Sequence, residues 1–259
     1  MMPLAEQAVQ KSTFDIPRVS GGSPCSSSCC VVSSFMRSDV PSSNLPDVHG
    51  GRRPFFSVIC CTYQRQALIG RAIASVIAQT ETDWELIVVD DGSSDGTWQT
   101  VQSYAADHPS IRSMRHSNRG VSRSRNAGLL ASTGLFVTFI DSDDEYRQDH
   151  LAVRRQVLLE NPEVTFLHSN ADVIGDPYVP DKDDPATKIH LDDCVIGGTF
   201  VIRRDVLMDL GGFDVVDYAD DALLYERASA AGIVIAKLDH PSYVYYRTTP
   251  DSMCNSHGS

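Results

Sequence analysis

The sequence predicts an α/β domain, a largely parallel sheet flanked by helices. Two observations carry this reading. Short apolar runs begin at Phe56, Trp84 and Leu135, with a weaker one at Ile111, and a segment of helical periodicity follows each. Two acidic clusters, Asp90-Asp91 and Asp141-Ser142-Asp143-Asp144, close two of these runs. Ligands of such sheets bind at the carboxyl ends of the strands, which is where both clusters fall.

In order, residues 56–61 read as a buried strand and 67–79 as a helix, with Leu68, Ile69, Ile73, Val76 and Ile77 on one face. Residues 84–89 form the second strand. The turn after it, 90–96, contains Ser94 or Asp95 as cap for a helix at 97–106. A weaker strand at 111–116 leads to a helix at 121–132 and to a third strong strand at 135–140. Beyond Asp149 the pattern predicts a helix at 150–160, a strand at 164–168 and a mobile loop at 175–193. A strand at 197–202, helices at 203–210 and 220–231, and terminal strands at 233–238 and 243–247 complete the chain.

Residues 1–54 differ: rich in Ser, Pro and Gly and without sustained period, they read as a disordered leader. The remaining 55–259 suffice for a single domain. The chain has 259 residues, 42% apolar and 22% charged, and a formal net charge of −12. Such an acidic protein is not expected to bind nucleic acid, and a phosphorylated ligand would need a cation beside it. Seven cysteines, an odd number without paired C-x-x-C spacing, argue against a disulfide framework and a structural zinc site. Reduced thiols fit a cytoplasmic setting, with Cys60 and Cys61 packed in a strand. No apolar run is long enough for a membrane span, so any membrane contact is expected to be peripheral.

Four segments can carry chemistry. Three carboxylates within Asp141-Ser142-Asp143-Asp144 repel one another unless something neutralises them. A hard divalent cation would do so, or the segment is an exposed acidic turn. Asp91 can accept a hydrogen bond from a base imide, although Asp-Gly sequences also simply make turns. Arg123 and Arg125 concentrate positive charge at a helix start, where phosphate is favoured. Asp220-Asp221 opens a helix, which the macrodipole alone explains, or supplies a general base.

Taken in order, these segments resemble the family-2 glycosyltransferases of the GT-A fold. The matching stretches are Ser57-Val-Ile-Cys-Cys-Thr-Tyr-Gln-Arg65, Ile87-Val-Val-Asp-Asp-Gly-Ser-Ser-Asp-Gly-Thr97, residues 118–128 and Phe139-Ile-Asp-Ser-Asp-Asp144. Gly211-Gly212-Phe213-Asp214, Asp220-Asp221 and Tyr245-Tyr246-Arg247 continue them. The resemblance implies a hexosyltransferase of polysaccharide biosynthesis using a nucleotide diphosphate sugar, UDP first, with inversion. It divides the domain into a nucleotide-binding half at about 55–145 and an acceptor half at about 146–255.

The implied roles follow residue by residue. Thr62, Tyr63, Arg65 and Asp91 meet the donor nucleotide, and Asp141, Ser142 and Asp143 form its D-x-D; Arg125 joins the donor contacts on the charge argument above. Asp143 would bind Mn²⁺ or Mg²⁺ directly, with Asp141 beside it. Asp221 is the expected catalytic base, and Asp220 stands where the family has Glu. The acceptor would be a saccharide, lipid-linked or protein hydroxyl. The family's His after Tyr-Arg is replaced by Thr248-Thr249, and neither membrane helices nor a Q-x-x-R-W motif is present in the sequence, which favours a single transfer. The alternative is a non-catalytic protein that keeps the fold and the nucleotide pocket.

Overall fold

The computed structural model describes residues 13–16, 53–182, 184 and 186–248. Strand β1 (Thr13–Ile16) precedes the domain proper, which opens β2 (Phe56–Thr62), α1 (Ile69–Ile77), β3 (Trp84–Asp90), α2 (Thr97–Asp107), β4 (Ile111–Arg115), α3 (Val121–Ala131), β5 (Phe136–Asp141). After a two-residue β6 (Glu145–Tyr146) come α4 (His150–Glu160), β7 (Phe166–Ile174), a hairpin of β8 (Tyr178–Pro180) and β9 (Lys188–His190), and β10 (Val201–Arg203). Helices α5 (Arg204–Asp209) and α6 (Asp220–Ala230) and the long β11 (Ile235–Tyr246) end the fold.

Among the described residues nine strands share one sheet in the order β1, β11, β7, β10, β5, β2, β3, β4, with β6 added on β11. Along that path every pairing is parallel except those of β10, which runs against both β7 and β5. Parallel strands need crossovers that cover the faces, so their residues are buried on both sides. Phe56, Val58 and Cys60 of β2 pack with α1, α2 and α4 through Ile73, Val101 and Leu151. Ile59 points the other way, with Phe139 of β5, to meet Leu129 of α3, Leu207 of α5 and Leu224 of α6. Period-two alternation in the strands and the two helical layers therefore describe one physical arrangement.

Gly92, at φ +85°, turns the chain after β3. A Cβ there would lie 2.8 Å from the backbone nitrogen of Asn118, so only glycine lets the β3 turn press against the loop after β4.

The structure corrects several expectations at the level of single elements. Strand β1 lies inside the stretch read as a disordered leader and runs parallel to the start of β11. An edge strand of four residues is held by backbone pairing and leaves little apolar pattern to read. The rest of that stretch lies outside the described residues. The segment 175–193 is not merely a loop, because it contains the β8–β9 hairpin, whose three-residue strands are too short to show a period. Residues 197–199 form a 3₁₀ turn, leaving β10 only three residues. The two terminal strands are one, with an irregularity in register between Leu238 and Tyr243 that absorbs Asp239 to Ser242.

Candidate active site

A cleft of about 1200 Å³ opens where β2, β3 and β5 end. Its lining includes Thr62, Tyr63, Arg65, Asp91, Arg125, Asp141, Ser142, Asp143, Asp220 and Asp221, whereas Arg123, the other cation read at the helix start, is exposed outside it and donates to the Arg119 carbonyl at 3.1 Å. Two further lining residues, Gln64 at φ 54° and Ala219 at φ 58°, hold left-handed backbone without being glycine. Such conformations cost about 1–3 kcal/mol each and collect at functional sites.

The acidic segment 141–144 resolves its own repulsion by pointing its carboxylates three ways. Asp144 turns into the core, where its Oδ2 accepts the Tyr243 hydroxyl at 2.6 Å and its Oδ1 accepts the Tyr246 N–H at 2.8 Å. Burial, with the charges of Asp141 and Asp143 added, pushes its carboxyl well above the ordinary aspartate value. Asp144 is thus a brace between the turn and β11. Asp141 is part-exposed and pairs with Arg125 at 3.2 Å. Asp143 lines the cleft, and its backbone carbonyl accepts from Arg71, whose guanidinium lies 3.7 Å from the Tyr246 ring centroid.

Arg125 is the hub. It is buried on α3, and its Nη1 donates to Asp220 Oδ1 at 2.6 Å while Nη2 reaches Asp141. Burial alone would weaken its hold on the proton, but the charges of Asp220 and Asp141 reverse that and keep it firmly cationic. One guanidinium therefore ties the end of β5 to the start of α6. Neighbouring Asn126 adds a second tie, accepting the Phe213 N–H at 2.8 Å and donating to its carbonyl at 2.9 Å.

Asp221 follows at the first turn of α6. Its Oδ2 accepts the Gly197 N–H and its Oδ1 the Ala222 N–H, both at 2.8 Å. Burial, with Asp220 beside it, holds this carboxyl above the ordinary aspartate value, against the opposing pull of Arg125. A Cβ on Gly197 would lie 3.0 Å from that of Asp221, and one on Gly198 would fall 2.3 Å from Cζ of Tyr243. The glycine pair lets the 3₁₀ turn approach both residues.

On the other side, Asp91 accepts the N–H groups of Arg119 and Gly120 at 2.8 Å each and stands 3.1 Å from His116 Nδ1. It shapes the loop before α3, with lone pairs remaining on each oxygen for a further donor. Gly96, not Ser94 or Asp95, stands at the N-cap of α2, while Asp95, one residue before it, accepts the Thr97 N–H at 3.0 Å. Gln64 closes the same turn, its Oε1 accepting from Ser94 and Asp95 at 2.8 and 3.1 Å. Thr62 is buried at the cleft end of β2, and its Oγ1 has no hydrogen-bond partner among the described residues. Tyr63 is 45% exposed at the rim, a flat face open to a stacking ligand. The roles of Gln64, Asn126, Gly197 and Tyr243 were not anticipated. Of these only Gly197-Gly198 left a signal, a glycine pair in an otherwise apolar segment.

Among the described residues no group of three or more His, Cys, Asp or Glu is arranged to hold a metal ion. Asp143 and Asp141 still suit a cation that takes its remaining oxygens from a diphosphate, as Mg²⁺ commonly does. The balance of charge points the same way: eight carboxylates against three cations line the cleft, so a bound diphosphate needs positive charge from elsewhere.

The model of the family described as Glycosyl transferase family 2 matches residues 57–211. The chain belongs to this family. It is 29% identical over 168 residues to WfgD of Escherichia coli, a UDP-Glc:alpha-D-GlcNAc-diphosphoundecaprenol beta-1,3-glucosyltransferase, covering 63% of this chain and 66% of that protein. A GalNAc(5)-diNAcBac-PP-undecaprenol beta-1,3-glucosyltransferase of Campylobacter jejuni is 40% identical over 105 residues, 40% of this chain and 34% of the relative. The family member thus spans less than two thirds of the length of either relative.

Among solved structures, S. aureus TarS 1-349 in complex with UDP-GlcNAc aligns with a TM-score of 0.64 at 24% identity, over 76% of this chain and 60% of that one. The mannosyltransferase PcManGT from Pyrobaculum calidifontis, in complex with GDP-Man and Mn²⁺, gives 0.58 at 24%, over 77% and 58%. At these identities the likeness establishes the fold. The GT-A architecture and the family expected from the sequence are the ones found.

Proposed function

We propose that the protein transfers a sugar from a nucleotide diphosphate sugar to an acceptor hydroxyl, with inversion and with Asp221 as general base. The observation that carries this is the pairing of a carboxyl of raised basicity, Asp221, with the Asp141–Asp143 segment in one cleft. A base works best when its pKa moves toward the operating pH, and burial moves Asp221 in that direction. Asp220 is the weaker candidate because Arg125 holds it at 2.6 Å in a buried ion pair. The Gly197 and Ala222 N–H groups fix the orientation of Asp221.

The acceptor oxygen forms a bond to the anomeric carbon as its proton passes to Asp221. The bond from that carbon to the diphosphate oxygen breaks, and its electron pair leaves with the nucleoside diphosphate. Thr62, Tyr63, Arg65, Asp91 and Ser142 would contact the nucleotide, the orphan Thr62 hydroxyl by a hydrogen bond and Tyr63 by stacking on the base. A Mn²⁺ or Mg²⁺ ion held by Asp143 and Asp141 would supply the positive charge that the departing diphosphate requires. Arg125 keeps the donor and acceptor sides of the cleft in register. UDP is the favoured nucleotide because it stands in the names of the E. coli relative and of the TarS complex. We place the enzyme in the cytoplasm, with peripheral membrane contact; among the described residues no helix is long and apolar enough to cross a membrane.

The test is calorimetric titration with UDP, dTDP and GDP, with and without Mn²⁺, followed by turnover of Asp221→Asn. One nucleotide should bind in a metal-dependent way and lose that binding in Asp143→Ala. Asp221→Asn should keep the nucleotide and lose about 10²–10⁴-fold in kcat. Unchanged turnover in that variant removes Asp221 as the base.

A further inference from the structure

The half of the cleft beyond Asp221 has a character of its own. The β8–β9 hairpin and the segment after it form one wall, and α6 forms the other. The half-buried Val195, Ile196 and Tyr225, with the more deeply buried Val179 and Leu191, line this half with apolar side chains. The wall is held in place, since the Tyr218 hydroxyl donates to the Pro180 carbonyl at 3.0 Å and Arg247 Nη2 to the Tyr178 carbonyl at 3.1 Å. Among the described residues that line it, the charged groups are Asp181, Asp193 and Glu226, with Asp220 and Asp221 at its inner end, against Lys182. Lys182 is itself paired with Glu226 at 3.0 Å. Arg125, at the boundary, is committed to Asp220 and Asp141.

On the reading of the site given above, we propose that the acceptor is an uncharged glycoside with an apolar face beside its reacting hydroxyl, and not a sugar phosphate or diphosphate. An anion placed here would meet carboxylates of its own sign and no uncommitted guanidinium of Arg125. A neutral sugar meets the opposite situation. Carboxylates accept its hydroxyls, while Tyr225 and the aliphatic wall take its C–H face or an apolar aglycone. The chemistry of the groove thus separates this acceptor from the diphosphoundecaprenol-linked sugar that the E. coli relative's name carries.

The experiment uses the full chain and measures binding directly. The 4-nitrophenyl β-glycosides of glucose, galactose and N-acetylglucosamine are titrated against the same sugars' 1-phosphates, with and without UDP and Mn²⁺. At least one glycoside should bind tenfold or more tightly than its 1-phosphate under both conditions. Ile196→Asp should weaken that glycoside by tenfold or more and leave UDP affinity within twofold. Because a buried carboxylate can unfold the wall, the exposed Asp193 is tested separately: Asp193→Lys should improve 1-phosphate binding severalfold. Equal or tighter binding of a 1-phosphate by the parent, or no measurable glycoside binding, overturns the proposal. Failure of every nucleotide to bind counts instead against the transferase reading, since the ranking of acceptors is read without UDP as well.

Discussion

Removing the Arg125 guanidinium should be among the most damaging single changes to this protein. In Arg125→Gln, Asp220 keeps its buried position but loses a charge partner at 2.6 Å, and no other cation among the described residues is paired with it. Both side chains are about 7% exposed, so solvent does little to screen the loss. Asp141 is far more open and recovers most of its solvation, so the second half of the bridge contributes little to the deficit. Breaking a buried pair by removing one partner costs about 3–5 kcal/mol, which in a domain of this size lowers Tm by about 6–20 °C.

Thermal melts followed by circular dichroism measure this loss. The double variant Arg125→Met with Asp220→Asn should regain more than half of the loss, because no orphaned charge remains. An Arg125→Gln protein melting within about 3 °C of the parent at pH 8, roughly 1 kcal/mol, would refute the hub.

Other outcomes follow from the core. His150 is buried against Tyr146 with ring centroids 3.7 Å apart, and burial together with the charge of Arg154 holds it neutral, well below the usual histidine range. Its folded pKa is depressed, so stability is full above about pH 6.5 and falls on acidification by up to about 1.4 kcal/mol per pH unit. His150→Phe should flatten that slope in urea titrations between pH 7 and pH 5. Gly198→Ala forces a methyl against the Tyr243 ring and should lower the urea midpoint by the equivalent of about 1–3 kcal/mol, with m unchanged. Phe139→Ala empties a fully packed place between β5 and Phe213 and should cost about 3–5 kcal/mol by the same measurement.

The strands whose ends form the cleft were legible because they are buried on both faces, and uninterrupted apolar runs such as Leu86 to Val89 admit few other readings. The acids at their ends were legible for a related reason: carboxylates directly after such a run have to stand at the sheet's rim. What could not be read are contacts between residues remote in sequence. Nothing local marks Tyr243 as the partner of Asp144, 99 positions away, or Asp220 as the partner of Arg125, 95 away. The same holds for β7, whose polar second half through Asn170 and Asp172 is strand only because β11 pairs with it. The three-residue strands of the hairpin are shorter than any period that could reveal them.

Strand β11 joins the two sides of the cleft in a way that bears on how the protein comes apart. Tyr243 and Tyr246 fasten the acidic turn, and Arg247, one residue beyond the strand, fastens the hairpin wall. The end of β11 is thus a shared hinge pin for the two halves of the cleft. A partial opening that peels this end from β7 would free both at once while α1, α2 and the β2–β3–β4 core stay folded. Local openings of this kind lie below the global unfolding free energy. On warming, both halves of the site should be lost together, before the helical signal falls, and amide exchange in residues 243–246 should report that opening.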